Sequence, residues 1–404
     1  MTSGPPPTPD GEPAARLTDV VREWGRIGCT GFGGPPTHIA LLRDLCVRRR
    51  AWLDEEEFEN AVAVCNLLPG PASTQLAILC AWRVRGRLGA LVGGLAFIVP
   101  GLVLILGLAA VFVAGSPPPV IRGAGAGAGA AVAAVAVRAG LDLLRAGRRR
   151  APRAGKSRWA VYAVIGAVTA AVFGPWVVLV LLGCGAAELA WRAIARNGNF
   201  LCGFVPVPLL ANASAAAAAT AVTGAGGLLS LTWVAFKVGA LSYGGGFVIV
   251  PLMQSEAVDH YGWMTTGEFL NAVALGQVTP GPVVQTVAVV GYSASGLAGG
   301  LLAAAVAFAP SFAFVLIGGA RFDRLRTDLR ARSFLDGAGP AAIGAILGSA
   351  IPLAGALEEA WQYAVLALAA ALLLPLRRSI VTTILLAAAI GGVVALTGGP
   401  LPHE

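Results

Sequence analysis

From Phe269 to Ala320 the chain carries no Asp, Glu, Lys or Arg, and no other feature of the sequence constrains its fold so tightly. A helical membrane crossing needs about 20 apolar residues, so this one run has room for two. Leu88 to Ile121, Trp159 to Ala187, Asn197 to Phe236, Gly337 to Leu357, Ala360 to Leu376 and Ser379 to Pro402 are equally free of charge. With 56% hydrophobic and only 12% charged residues, the chain lies outside the range of soluble domains and inside that of membrane proteins.

The opening MTSGPPPTPDGEPAAR, residues 1–16, is Pro-rich and acidic, which reads as a disordered tail and not as a cleaved signal peptide. Cys29, Cys46, Cys65, Cys80, Cys184 and Cys202 form no Cys-x-x-Cys pair and lie mostly in apolar segments, where a small thiol is ordinary filling. Neither a disulfide, a metal site nor a cofactor is expected. A net charge of +8 in a soluble protein suggests nucleic acid. Here the arginines cluster in short loops between apolar spans, which is the positive-inside pattern of a cell (plasma) membrane protein with no nucleic-acid partner.

An internal repeat organises the rest. Pro69 and Pro280 are 211 residues apart, and the same offset pairs Gly28 with Gly239, Gly33 with Gly244, Trp52 with Trp263, Phe58 with Phe269 and Pro71 with Pro282. Trp, Phe and Pro-Gly-Pro in one register point to two homologous halves, 17–196 and 228–404, joined by an apolar linker, 197–227. The loop charges of the halves are reversed. Arg83 to Arg87 answers to a neutral loop at Ser293, and the neutral segment near Pro117 answers to the basic Arg321 to Arg332. Reversal of this kind is what inverted-topology repeats produce.

Each half contains a Pro-Gly-Pro: NLLPGPASTQ from Asn66 and QVTPGPVVQT from Gln277. Basic residues flank the first on both sides, Arg48 to Arg50 and Arg83 to Arg87, which favours a segment that enters the bilayer and returns; a kinked crossing is the other reading. Proline lacks an N–H and disfavours helix in the residue before it, so Leu-Pro-Gly-Pro ends one helix and starts another. A helix begun inside the membrane exposes donors that only a cavity-lining position can satisfy, and the positive end of its dipole favours an anion.

Each half has a second break upstream, TGFGGPPTHIA from Thr30 and LSYGGGFVIVP from Leu241. Consecutive glycines there weaken the helix and let backbone N–H groups face a ligand. The candidate binding set is therefore Phe32, Gly33, Gly34 and Pro35 with Tyr243, Gly244, Gly245 and Gly246 at these breaks. Pro69, Gly70 and Pro71 with Pro280, Gly281 and Pro282 join it at the others. Arg26 and Lys237 occupy equivalent positions within apolar surroundings; they are ligand or pathway cations or else snorkelling anchors. His38 is a proton-coupling group or a polar cavity lining. Asn66, Gln75, Gln277 and Gln285 either donate to an oxyanion or satisfy carbonyls freed at the breaks.

Other features take plainer readings. Glu57 and Glu268 start surface helices. The alternating Gly-Ala run from Gly123 is a helix-packing surface, since no Gly-Lys-Ser or Gly-Lys-Thr follows it.

FGGPPTHIALLRD, RAWLDEEEF, LLPGPASTQLAI, YGGGFVIVP, GWMTTGEFL and GQVTPGPVVQT together resemble the paired signatures of the chromate transporter family in its long, two-domain form. The resemblance covers nearly everything but the N-terminal tail. It implies an inner-membrane protein of about ten helices in two antiparallel halves that exports chromate, confers chromate resistance and draws on the proton motive force. Two positions depart from the family pattern: Tyr243 stands where Phe is usual, and Asn66 where Gln is common.

The expected fold is thus an all-α polytopic membrane protein of two inverted homologous halves with broken or re-entrant helices. The expected activity is transport rather than catalysis, with an oxyanion, protons and the lipid bilayer as partners; a homodimer is compatible with this. The residues themselves specify a tetrahedral oxyanion, and only the resemblance specifies chromate over sulfate. A passive anion channel would use similar half-helices, and a membrane enzyme acting on lipid-linked phosphate would want a richer carboxylate or histidine cluster than His38 provides.

Overall fold

A computed structural model describes residues 15–66, 68, 70–112, 117–150, 155–173, 176–197, 225–242, 249–319 and 328–402. The tail, most of the 197–227 linker and the basic loop up to Thr327 lie outside the described residues, as does Cys202. The described chain is all-α. In the first half α1 (Leu17–Thr30), α2 (Pro35–Arg43) and α3 (Glu55–Cys65) precede α4 (Ala72–Phe112), α5 (Pro119–Ala130), α6 (Val132–Arg150), α7 (Lys156–Val172) and α8 (Val177–Asn197). In the second half α9 (Ala225–Leu241), α10 (Val250–Gln254) and α11 (Thr266–Val278) precede α12 (Thr286–Gly318), α13 (Leu329–Gly355), α14 (Ala360–Leu373) and α15 (Ile380–Leu396).

Five helical stretches among the described residues are long and apolar enough to cross a bilayer: Ala72–Phe112, Pro119–Arg149, Val177–Ala195, Val283–Gly318 and Leu329–Gly355. Their outer faces carry bare aliphatic side chains, Val103 66% and Ile317 75% exposed, as a lipid-facing surface requires. The chain is a polytopic, multi-pass membrane protein.

Two of these stretches are not single rods. In α4 the helix breaks at Arg85 and Gly86 (φ 62°, ψ −154°), and in α12 at Ser295 and Gly296 (φ 62°, ψ −155°). The left-handed φ is open to glycine at little cost. The chain reverses there: a methyl at Gly89 would come within 2.3 Å of the Ala81 carbonyl, and one at Gly291 within 2.4 Å of the Gly299 carbonyl. Each "long helix" is therefore a short arm, 72–84 or 283–294, folded back on a full crossing, 87–112 or 297–318.

The repeat has a step in it. Up to Pro71 and Pro282 the offset is 211, but Gln75 and Gln285, Gly86 and Gly296, and Pro100 and Pro310 are paired at 210. The missing residue lies in the first turn after Pro-Gly-Pro, which is α-helical from Ala72 in the first half and a tighter 3₁₀ turn, Val283–Gln285, in the second. A one-residue π-type widening is also repeated, at Asp44–Arg49 and Ser255–His260.

The equivalent crossings 87–112 and 297–318 lie against each other in opposite directions. Gly94 packs against the Phe312 ring, while Gly300 packs against Leu106; one number rises as the other falls. Equivalent elements that run antiparallel make the two halves inverted with respect to the membrane. Between the halves, α5 and α15 cross at bare backbone, Gly123 against the Gly391 carbonyl and Gly127 against that of Ala387. The Gly-Ala run is thus a small-residue packing surface.

Candidate functional site

The first half sends two helical hairpins into the interior, and the Pro-Gly-Pro hairpin recurs in the second. In the first, α1 rises to Gly31 and α2 returns: Trp24 stacks on Trp52 at 6.0 Å, and Arg50 donates to Glu23 at 2.7 Å. Next, α3 rises to the Pro-Gly-Pro break and the 72–84 arm returns, so that Arg83 near the end of the arm bonds Glu57 at the start of α3. The second half closes the same hairpin with Ser293 Oγ donating to the Trp263 carbonyl at 2.7 Å. At 11 residues, α3 spans about 16 Å at 1.5 Å per residue, half of a bilayer core. The Pro-Gly-Pro segments are re-entrant hairpins rather than kinked crossings, and their breaks are the tips.

The three tips among the described residues meet in one chain of hydrogen bonds. The Gly31 carbonyl accepts from the Gly281 N–H at 3.1 Å and lies 2.8 Å from His38 Nε2. A carbonyl only accepts, so Nε2 carries the proton. His38 Nδ1 then faces Ser73 Oγ at 3.3 Å, and in the neutral ring it accepts from that hydroxyl. His38 is fully buried, with the edge of Phe97 against it at 5.1 Å.

The donors expected at the first break are mostly missing. Pro35 and Pro36 have no N–H, and the N–H groups of Thr37 and His38 both return to the Gly34 carbonyl, at 3.1 and 3.2 Å. Only Gly33 and Gly34 can still offer theirs. Phe32 and Gly33 face outward, Phe32 being 40% exposed. At the first Pro-Gly-Pro, Gly70 (φ 120°) turns the chain, and Thr74 and Gln75 donate back to the Pro71 carbonyl at 2.9 and 3.0 Å. That leaves the N–H groups of Ala72 and Ser73, first-turn donors with no acceptor inside the helix. At the second, Gly281 (φ 100°) follows Pro280, Gln285 N–H returns to the Pro282 carbonyl at 2.9 Å, and the Gly281 N–H is taken by Gly31.

The four amides divide. Gln285 is fully buried and its Nε2 donates to the Ile98 carbonyl at 2.8 Å, a stitch between the halves. Gln75 is buried beside Gly70. Gln277 is buried with its Nε2 unmatched. Asn66, its counterpart, is exposed and turned away from the tips, into a cavity of about 240 Å³ that Trp159, Tyr162, Glu188, Arg192 and Asp336 also line. The repeat places an equivalent cavity of about 180 Å³ on the second half, where Ala126 and Gly129 stand for Asp336 and Gly339 beside Arg122, Glu268 and Asn271.

Neither cation stands at a tip. Arg26 is half-exposed, one turn before the first break, and lies 3.6 Å from Glu23. Lys237 bonds Glu256 and sits over the Trp233 ring at 5.6 Å. Lys237 and its partner Glu256 are 19 residues apart on different helical segments, so no local spacing announced the pair. Pro69, Tyr243, Gly244, Gly245 and Gly246 lie outside the described residues. Sequence reasoning passed over Ser73, Thr74, Ser242 and Ser311, common residues without a motif, all fully or nearly fully buried. Among the described residues no cluster of His, Cys, Asp and Glu is arranged to hold a metal ion.

Inverted halves whose broken helices meet deep in an apolar bundle are the architecture of a membrane carrier. The chain belongs to the chromate transporter family, which it matches over residues 18–189 and 229–393. It is 32% identical to the chromate transport protein of Cupriavidus metallidurans, over 97% of this chain and 96% of that one. It is also 29% identical to the chromate transport protein of Pseudomonas aeruginosa, over 86% and 83% of the two chains. No solved structure matches it.

Proposed function

We propose that this protein exports a tetrahedral oxyanion, chromate before others, across the plasma membrane in exchange for protons, with the ion held where the hairpin tips meet. The observation that carries the reading is the bonded chain Ser73–His38–Gly31–Gly281, which ties an ionisable ring to the tips of both halves. Exchange of the proton on His38 would reverse its bond with Ser73, since a protonated ring donates where the neutral ring accepts. The two repeat-related cavities are the routes from either face, and Arg26 and Lys237, each beside a carboxylate, bring positive charge to the helices that lead to the breaks. The names of the relatives support chromate as the cargo.

Inverted membrane vesicles test this directly. Chromate should be taken up when a proton gradient is imposed and not after a protonophore, with sulfate and molybdate competing weakly. Uptake that ignores the gradient would make the protein a passive channel. His38→Gln should uncouple uptake from the gradient while the protein remains inserted.

A further inference from the structure

The two Pro-Gly-Pro tips are not chemical equals. The second is closed by its own surroundings: the Gly281 N–H is bonded to Gly31, Gln285 to Ile98, and its first-turn residues are Val283 and Val284. Gly101 presses on it from the facing crossing, where a methyl would come within 2.1 Å of the Pro280 carbonyl. The first tip has Ser73 and Thr74 in that turn and unclaimed N–H groups at Ala72 and Ser73.

Three buried hydroxyls without a hydrogen-bond partner among the described residues border the first tip. Thr74 Oγ1, Ser242 Oγ and Ser311 Oγ are each fully buried and without a hydrogen-bond partner. Thr74 lies in the outgoing first turn itself. Ser311 occupies the repeat position of Gly101, at an offset of 210, and Gly101 is the residue that touches the opposite tip. The α9 and 297–318 helices meet where Gly239 lies against the Ala307 carbonyl. Ser242 and Ser311 each stand about one turn beyond that contact, in the same direction. The Gly239 carbonyl in turn lies 3.5 Å from where a Gly70 side chain would begin, which brings this end of the pair to the first tip. A buried hydroxyl left unpaired costs about 1–3 kcal/mol, and three around one helix N-terminus indicate a missing partner.

We infer that the oxyanion binds asymmetrically, on the first Pro-Gly-Pro tip, with the hydroxyls of Thr74, Ser242 and Ser311 and the N–H groups of Ala72 and Ser73 as its donors. The second tip is the brace that holds the site shut. The ligand is an anion with several acceptor oxygens, because every group aimed at the site can donate. This rests on the proposed function and sharpens it, since the site is placed on one of the two Pro-Gly-Pro tips, with donors from both halves, and on residues other than the arginine and lysine.

The experiment is equilibrium binding of radiolabelled chromate, and of sulfate and molybdate, to the purified full-length protein in detergent. Thr74→Val, Ser242→Ala and Ser311→Ala should each raise the Kd about tenfold or more, as loss of a bond to a charged acceptor does. Thr74→Ser should bind as the wild type does, and Val283→Ala and Val284→Ala on the second tip should change the Kd less than threefold. Elution as a monodisperse peak confirms the fold of each variant. Wild-type binding that the three hydroxyl variants leave unchanged overturns the asymmetric site while leaving the transport reading in place. Binding of sulfate in preference to chromate, lost in the same variants, supports the site and overturns chromate as the cargo. If the wild-type protein binds none of the three anions, both readings fall.

Discussion

Arg83 and Glu57, 26 residues apart, hold each other at the base of one hairpin, and that single contact puts both ends of the first Pro-Gly-Pro segment at the same membrane face. Ser293 and the Trp263 carbonyl do the same for its counterpart, the first pair being charged on both sides and the second neutral on both. The expected experiment is side-specific labelling of single cysteines. Positions 60 and 82 should react from one side and positions 271 and 292 from the other; opposite labelling within either pair would contradict the hairpins.

Breaking the base pair should loosen the hairpin without unfolding the bundle. Both side chains are partly exposed, 19% and 32%, so Arg83→Gln should cost only about 1 kcal/mol, read as a small loss in thermal stability in detergent. The exchanged pair, Arg83→Glu with Glu57→Arg, should recover most of it.

The inverted halves make a second topological prediction. Cysteines at positions 85 and 330 should be labelled from the cytoplasmic side, and one at position 295 from outside. Reaction of positions 85 and 330 from opposite faces would be incompatible with antiparallel halves.

Lys237 and Glu256 separate two roles for a cation. Lys237→Gln leaves the Glu256 carboxylate with its charge and without its partner, and, because the pair is only partly buried, should raise the apparent KM for the oxyanion by roughly thirtyfold, the lower end of what losing one member of a buried pair costs. The double variant Lys237→Gln, Glu256→Gln should return within a few-fold of wild type. A double variant as defective as the single would make Lys237 a direct ligand.

Gly101 and Gly239 should tolerate nothing larger. A methyl at Gly101 would meet the Pro280 carbonyl at 2.1 Å and one at Gly239 the Ala307 carbonyl at 2.0 Å. Either alanine variant should lose about 1–3 kcal/mol by overpacking, seen as a lowered Tm, whereas alanine at Gly107, which faces open space, should not.

Much of this was legible in the residues themselves. The 211 offset and the reversed loop charges carried the inverted halves, because arginine in a loop and tryptophan in register are rare enough to count. The re-entrant course of Pro-Gly-Pro stayed open until the Arg83–Glu57 contact decided it. The step to 210 was hidden by Gly- and Ala-rich sequence that aligns with itself at either offset. Asn66 and Gln277 looked alike and face different ways, since α3 stops at Cys65 and leaves Asn66 beyond its end, whereas α11 continues through Gln277 to Val278. The hydroxyl residues were invisible for a simpler reason: a serine in an apolar helix normally bonds the carbonyl four residues back, and only coordinates reveal the ones that do not.

The antiparallel seam of Gly94 with Phe312 and Gly300 with Leu106 carries one more consequence. Two copies of one fold set head to tail can trade shapes, each adopting what the other has now. In the present arrangement the second tip is fastened, Gly281 to Gly31, and the first is not. The traded arrangement would fasten Gly70 to Ser242, the residue that stands where Gly31 does, and release Gly281. On the proposed function, the bond that braces the site in one state would have its replacement already written into the other half, and the passage between faces would be an exchange of clasps rather than the building of a new structure.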